Sequence, residues 1–202
     1  MEEDAMDLTI TFIPLAIDEQ DKKTIFSPLV SHLASIFDVS IAITDSLPLD
    51  RSQLLFDEQR NQWNSDKLLH WLATNVANNT KSYDPRKTII LGICNIDAYS
   101  SGLNFVFGQA SLTGGVAAIY LPRLRQEFYG LDTDRSIFIE RLLKEATHEV
   151  GHAFELDHCP KQTCVMHFSN SLADTDRKAK DFCKICRKKL HQKWPDLLTN
   201  IS

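Results

Sequence analysis

The sequence predicts an α/β fold built around a mixed, twisted sheet. Apolar residues in the first half of the chain alternate between strand and helix spacing, in the order strand, helix, strand, helix, strand. This order favours parallel strands joined by right-handed crossovers. The run TIILGICNI (Thr88–Ile96) is almost wholly apolar, as expected of a central strand buried on both faces. The chain has 202 residues, 43% of them hydrophobic, which is enough for one core in one domain.

Periodicity predicts the elements in chain order. The strands and helices of the first half are predicted at Leu8–Ala16 (strand), Gln20–Phe37 (helix), Val39–Thr44 (strand), Asp66–Ala77 (helix) and Thr88–Ile96 (strand). Pro28 is expected to start or kink the first helix, and Ser46–Arg60 is expected to be a connection. Gly114-Gly115 predicts a hairpin turn between two short strands. Asp134–Glu155 has the strongest helical periodicity in the chain.

Composition and charge exclude several classes of protein. The first residues, MEEDAMDLTITFIPLA, are acidic where a secretory signal is basic, and no apolar run approaches the ~18 residues that span a bilayer. The net charge of −5 argues against a nucleic-acid partner. We therefore expect a cytoplasmic protein with no membrane partner. The basic runs Arg177–Lys180 and Lys184–Lys189 are expected to form solvated helix faces.

The predicted helix Asp134–Glu155 contains a metal-binding pattern. His148 and His152 are four residues apart and so lie on one helix face, about 5–6 Å apart, where two imidazoles can hold one ion. Glu149 lies beside that face, where a carboxylate can take a proton from water at the metal. The alternative is that HExxH arose by chance, because short motifs misfire.

His158 and Met166 weigh against that alternative, because their spacing matches an extended metal-binding motif. A continuous helix would place His158 about 9 Å further along the axis and roughly 240° round it from His152. The chain is therefore expected to leave the helix after His152 and fold back. Three histidine ligands with an open fourth position would be the arrangement of a catalytic zinc.

Four of the five cysteines lie in the last quarter of the chain, in two close pairs. Cys159 and Cys164 bracket four residues, and Cys183 and Cys186 bracket two. Four thiolates in this pattern predict a closed, tetrahedral structural zinc site. The alternative is that the four are reduced cysteines packed in a core. Cys94, within the apolar strand, is expected to serve packing.

The motifs together resemble one known family. HEVGHAFELDHC, followed by CVM (Cys164–Met166) and FCKIC (Phe182–Cys186), resembles the archaemetzincins, compact zinc-dependent metallopeptidases with a second, four-cysteine zinc. The resemblance extends through LGICNID (Leu91–Asp97) and NFVFGQA (Asn104–Ala110), and more weakly through FDEQRNQWNSDKLL (Phe56–Leu69). It covers most of the chain.

The resemblance implies a role for each motif residue. His148, His152 and His158 would bind the catalytic zinc, Glu149 would be general base and acid, and Met166 would form the apolar turn beneath the metal. The implied architecture is one metzincin-like domain over residues 1–202. Its sheet, packing helices and active-site helix would lie in 1–152, and its small zinc-stapled part in 153–202. We expect two zinc ions per chain, a peptide or protein substrate, and a monomer.

One residue departs from the motif. The family has Gly, which supplies a left-handed backbone at the helix end, where this chain has Glu155. The turn is therefore expected to be either strained or built differently. If Glu155 spoils the three-histidine site, the chain would instead be a catalytically impaired, zinc-stabilised module that binds a peptide or protein. A further open choice concerns Phe105–Ala110, which could pair with an extended peptide at a sheet edge or serve core packing.

Overall fold

A computed structural model describes residues 8–51, 55–79, 84, 86–111 and 115–199 of the chain. Its strands are β1 (Thr9–Leu15), β2 (Ser40–Ile43), β3 (Phe56–Asp57), β4 (Gln62–Asn64), β5 (Thr88–Cys94), β6 (Ala98–Tyr99), β7 (Gly108–Ala110) and β8 (Val116–Tyr120). Its α-helices are α1 (Glu19–Ile36), α2 (Ser65–Asn79), α3 (Arg135–Ala153), α4 (Leu172–Arg177) and α5 (Lys184–Lys193). Two short 3₁₀ turns, Pro122–Leu124 and Gln126–Tyr129, precede α3. The predicted α/β class is confirmed.

The main sheet has five strands in the order β2-β1-β5-β8-β7. The first four are parallel to their neighbours, and β7 runs antiparallel to β8 at the edge, so the sheet is mixed as predicted. β5 lies at its centre, and six of its seven residues are buried. Burial raises the pKa of the Cys94 thiol at the end of this strand, which agrees with a packing role.

The two faces of the sheet are covered by different helices. Residues Leu91 and Ile93 of β5 pack in a core cluster with buried residues of α1 and α3. Ile90 and Cys94, which point the other way along the same strand, pack with α2. Because side chains alternate along β5, this strand contributes residues to both core clusters. Helix α3, which carries the metal-binding pattern, packs on only one of the two faces. None of the described helices is long and apolar enough to cross a membrane.

Several local predictions need correction. Pro28 lies inside α1, which begins nine residues earlier at Glu19, directly after the N-cap Asp18. Proline therefore does not start the helix. The expected connection Ser46–Arg60 contains β3, which joins β4 and β6 in a second, three-stranded sheet. β7 and β8 pair in the antiparallel sense expected of the predicted hairpin. Gly114, which is part of the predicted turn between them, lies outside the described residues.

The basic runs near the end of the chain behave differently from each other. Lys184, Lys188 and Lys189 of α5 are exposed, as predicted for a solvated helix face. In the first run, Lys178 is only 2% exposed, so the prediction is wrong for that residue. Its ammonium group is buried because it pairs with the carboxylate of Glu145 on α3.

Candidate metal centre

The end of α3 turns the chain back on itself, as the sequence predicts. The N–H of Glu155 donates to the carbonyl of His152 at 2.8 Å, and the N–H of Leu156 donates to that of Gly151 at 3.0 Å. This pair of bonds is a Schellman motif, which requires a left-handed residue at its corner. Glu155 occupies that corner with φ 65°. Of the two expected outcomes, the structure has the left-handed turn rather than a differently built one, and this turn returns His158 toward the helix.

The three histidines converge on one point. The Nε2 atoms of His148 and His152 lie 3.1 Å apart, and one ligand atom from each of the three rings lies within 4.8 Å of the others. Nδ1 of His148 donates to the carbonyl of Val165 at 2.7 Å, and Nδ1 of His152 donates to that of Leu156 at 2.6 Å. These bonds fix the rings and leave both Nε2 atoms as acceptors.

This donor set fits a zinc ion. Two imidazole acceptors that face each other need a cation between them. Tetrahedral zinc with Zn–N bonds of about 2.0–2.1 Å places neighbouring nitrogens roughly 3.3 Å apart, close to the separation seen here. Burial lowers the pKa of His148 well below its usual range and that of His152 to about 4. The imidazoles are therefore held in the neutral form that binds metal.

The four C-terminal cysteines form a second cluster. Their Sγ atoms lie within 4.8 Å of one another, with 3.8 Å between Cys159 and Cys183 and between Cys164 and Cys186. Zn–S bonds of about 2.3 Å in a tetrahedron place sulfurs roughly 3.8 Å apart, whereas a disulfide needs about 2.05 Å. Burial raises the pKa of Cys183, but hydrogen bonds from the backbone N–H groups of Cys186 and Ile185 and from the thiols of Cys164 and Cys186 outweigh it and bring the value to about 7. The cluster fits a tetrahedral zinc.

Glu149 lies beside the three histidines and is 3% exposed. Its Oε2 is buried and has no hydrogen-bond partner within the described part of the chain. Burial raises the pKa of Glu149 well above its usual range, repulsion from Glu145 adds to this, and the charge of Lys178 opposes it. Edge strand β7 reaches this carboxylate through Gly108, where an added β-carbon would lie 2.5 Å from Glu149 Oε1.

A cleft of about 760 Å³ contains this centre. It is lined by His148, Glu149, His152 and His158, by residues 102–111 around β7, by the turn 155–157 and by residues 168–170. The ring of Phe168, which is 38% exposed, stacks edge-on against His158 with 5.0 Å between centroids. Met166 is fully buried and packs on α3, since a β-carbon on Gly151 would lie 2.5 Å from its Sδ.

Three residues of this site escaped the sequence analysis. Gly108 is important because its backbone lies against Glu149. No pattern in the sequence around Gly108 predicts that contact. Glu145 and Lys178 form a buried ion pair beside the centre. Glu145 could have been found, because it precedes Glu149 by four residues and therefore shares its helix face. Lys178 could not, because nothing in its local sequence distinguishes it from the exposed lysines that follow.

A centre that offers a divalent ion three imidazoles, next to a carboxylate oxygen that has no partner among the described residues, is suited to splitting an amide with water, and this defines the chain as a zinc metallopeptidase. Comparison with known proteins gives the particular family. The model of peptidase family M54 matches residues 41–192, and the chain belongs to that family. The predicted resemblance to the archaemetzincins is confirmed.

Individual relatives agree over most of their length. The archaemetzincin of Pyrococcus furiosus is 39% identical over 184 residues, which are 91% of this chain and 93% of the relative. Among solved structures, a zinc-dependent peptidase from Methanocorpusculum labreanum matches with a TM-score of 0.75 and 30% identity. An archaemetzincin from Archaeoglobus fulgidus matches with a TM-score of 0.70 and 32% identity. Each comparison covers 90% of this chain and 99% of the solved one.

Proposed function

We propose that this chain hydrolyses peptide bonds in the cleft between β7 and α3, with Glu149 as general base and general acid. The observation that carries the proposal is the position of Glu149. Its carboxylate lies next to three converging imidazoles and has a buried oxygen that no described residue hydrogen-bonds. Such an oxygen is free to accept a proton from an attacking water.

Two zinc ions per chain are part of the proposal. His148, His152 and His158 would hold the catalytic ion, and the four clustered cysteines would hold the structural one. When bound, the catalytic ion supplies Lewis acidity, which lowers the pKa of a coordinated water toward ~7 and polarises the scissile carbonyl. The carbonyls of Val165 and Leu156 orient the first two imidazoles, and such outer contacts set the geometry of a metal site.

The proton follows a short path. Glu149 accepts it from the attacking water, holds it on its carboxylate, and delivers it to the leaving amine when the C–N bond breaks. The low exposure of Glu149 keeps bulk water from exchanging that proton during the step. Met166, packed against α3 at Gly151, would form the apolar support beneath the histidines.

Edge strand β7 is suited to hold an extended peptide. Ser111 donates to Val116 and Phe107 accepts from Tyr120, both at 2.8 Å, so these residues direct their backbone groups toward β8. By alternation, the N–H and C=O groups of Gly108 and Ala110 face away from β8. A substrate strand can pair with them. We therefore divide residues 105–110, which the sequence left between two roles: Gly108–Ala110 are assigned to substrate binding, whereas Val106 and Phe107 are buried and serve core packing.

The C-terminal part would act as a support rather than as a separate domain. We propose one domain over residues 1–202, in which 153–202 fold back on α3. The N–H of Cys159 donates to the carbonyl of Met166 at 2.8 Å, so the chain directly after His158 is tied to the supporting turn. The structural zinc would hold this segment and, through it, the third histidine.

Glu149→Gln tests the mechanism. The amide has nearly the volume of the carboxylate but cannot take a proton, so hydrolysis should fall by roughly 10²–10⁴-fold. The zinc content, measured by elemental analysis, should stay at two ions per chain. A peptide library incubated with zinc-loaded protein provides the activity readout. If Glu149→Gln cleaves the library at the wild-type rate, Glu149 is not the base.

The same measurements address the binding-module alternative. One zinc per chain and no cleavage of any library peptide would favour it. The family comparisons do not favour it, and the turn at Glu155 does return His158 to the other two histidines.

A further inference from the structure

Two oppositely charged side chains lie buried together beside the cleft, and the proposed hydrolysis uses neither. Lys178 Nζ donates to Glu145 Oε1 at 2.9 Å, and the two side chains are 0% and 4% exposed. Thr175 Oγ1 donates to the same oxygen at 3.2 Å. Glu145 lines the cleft together with His148 and Glu149. A buried charge in such a place calls for an explanation.

Stability does not provide that explanation. Removing two charges from water costs about as much as their mutual attraction returns, and a well-packed apolar pair is often as stable or more so. Helices α3 and α4 are already joined by other contacts. Arg141 binds both carboxylate oxygens of Asp176 at 2.7 Å, and Lys144 Nζ donates to the Asp176 carbonyl at 2.8 Å.

The position of Glu145 on α3 suggests a function. It precedes His148 by three residues and Glu149 by four, and residues at these spacings share one helix face. Its carboxylate therefore emerges on the face that presents the proposed ligands and the proposed base. Carboxylates are themselves good zinc ligands. A freely rotating Glu145 would compete for the open position at the metal.

We propose that Lys178, assisted by Thr175, is a positioning residue that holds the Glu145 carboxylate away from the three-histidine centre. The metal then keeps an open position, and Glu149 rather than Glu145 meets the attacking water. The two bonds from Arg141 to the Asp176 carboxylate hold α4 on α3 and so keep Lys178 in a fixed place. This inference rests on the proposed function, since it presumes a metal at the three histidines.

Cobalt at the three-histidine centre, with zinc left in the cysteine cluster, tests the proposal independently of activity. Tetrahedral Co²⁺ absorbs visible light several-fold more strongly than five- or six-coordinate Co²⁺. Lys178→Met should free Glu145 to bind. Its carboxylate should shift the absorption bands if it displaces the water, and lower their intensity several-fold if it adds as a further ligand. The double variant Glu145→Gln/Lys178→Met has no carboxylate to bind, so its spectrum should return to that of the wild type. Peptide hydrolysis should fall and recover in the same order.

Lys144→Met is the matched control. Lys144 is also a buried lysine between α3 and α4, but its ammonium group donates to the Asp176 carbonyl and not to the Glu145 carboxylate. Arg141 still holds Asp176 through two bonds in this variant, so the loss of Lys144 should lower stability and leave the cobalt spectrum unchanged. If Lys178→Met does not fold, Thr175→Val removes the other donor to Glu145 with little change in volume, and a smaller change of the cobalt spectrum in the same sense is expected.

Two results would overturn the proposal. One is a wild-type cobalt spectrum in folded Lys178→Met. If that variant does not fold, a wild-type spectrum in Thr175→Val counts in its place. The other is a double variant that stays as altered as Lys178→Met. Because the spectra are recorded without substrate, they remain informative if the wild-type protein cleaves no peptide. Failure of the positioning role is then distinguishable from failure of the proposed hydrolysis.

Discussion

The backbone of Gly108 lies against the side chain of Glu149. A β-carbon at position 108 would lie 2.5 Å from Oε1 of that carboxylate and 2.8 Å from its Cδ, closer than real β-carbons approach other atoms. Only glycine therefore allows the edge strand to come this near to the proposed base. The contact brings the groups proposed to bind a peptide and the group proposed to move its protons to the same place.

Gly108→Ala should therefore impair hydrolysis without removing metal. The added methyl group must displace Glu149, and a misplacement of about 1 Å can cost roughly 10²-fold in rate. The rate of peptide cleavage and the zinc content check this. Gly102→Ala is the control: Gly102 also lines the cleft, but a β-carbon there meets nothing within 4 Å. It should lose some stability, because its φ is +82°, and keep its activity. Wild-type cleavage by Gly108→Ala would contradict the prediction.

The sequence predicts the site well where the geometry is local. His148, Glu149 and His152 lie on one helix, whose period alone decides which side chains share a face. Each cysteine pair is likewise a short-range pattern. Helix geometry also shows that α3 must stop before His158 can return, whereas the left-handed backbone at Glu155 is expected from the family resemblance and not from periodicity. Periodicity also predicts the longer strands and helices to within one or two residues.

Contacts between distant segments could not be predicted in this way. Lys178 and Glu145 are 33 residues apart, and their pairing depends on how α4 packs on α3. The same is true of Gly108 and Glu149, which meet because β7 lies at the edge of the sheet. The strands β3, β4 and β6 have two or three residues each, too few to show any period, so the second sheet left no signal in the sequence.

Cys183→Ala should weaken zinc binding at the three histidines as well as at the cysteines. Structural zinc supplies ~10 kcal/mol or more of apparent binding energy in small sites, and without it the segment after His158 loses its anchor. Metal analysis should give less than two zinc ions per chain, and the remaining affinity at the histidines should fall. Cys94→Ala, which changes a buried cysteine outside the cluster, should retain both ions. Equal affinity at the histidines in Cys183→Ala and wild type would show that the sites are independent.

The stability of the protein should depend on pH through His32. Its Nε2 lies 3.0 Å from Thr147 Oγ1, which joins α1 to α3. Burial lowers the pKa of His32, and the charge of Lys180 lowers it further, against a hydrogen bond to the Lys180 carbonyl. Since the pKa is lower in the folded state than the ordinary value of 6.5, the unfolded chain binds the proton first as the pH falls. Stability from this residue is present above pH 6.5 and is lost below it.

Urea midpoints of the zinc-loaded protein between pH 7.5 and 5.5 measure this effect. The wild type should lose stability over the lower part of that range. His32→Gln, which can still bond to Thr147 but does not titrate, should lose less. Parallel curves for the two proteins would show that His32 titrates alike in the folded and unfolded states.

Glu155 offers a test of strain in the turn that returns His158. It sits at φ 65°, where a residue with a β-carbon costs roughly 1–2 kcal/mol. Its carboxylate also pairs with Lys193 of α5, but both side chains are 50% exposed, and such pairs contribute about 0–1 kcal/mol. Replacing Glu155 by Gly removes the strain and the pair together, so the informative comparison is between Glu155→Gly and Glu155→Ala.

Both variants lack the ion pair, and only the alanine keeps the β-carbon. Glycine loses about 0.4–1 kcal/mol through the greater freedom of the unfolded chain, which is less than the strain it relieves. Glu155→Gly should therefore be more stable than Glu155→Ala by about 1 kcal/mol in urea unfolding, and it should bind zinc at the histidines at least as tightly. If Glu155→Ala is the more stable of the two, position 155 does not hold a left-handed backbone in solution, and His158 must reach the other histidines by a differently built turn.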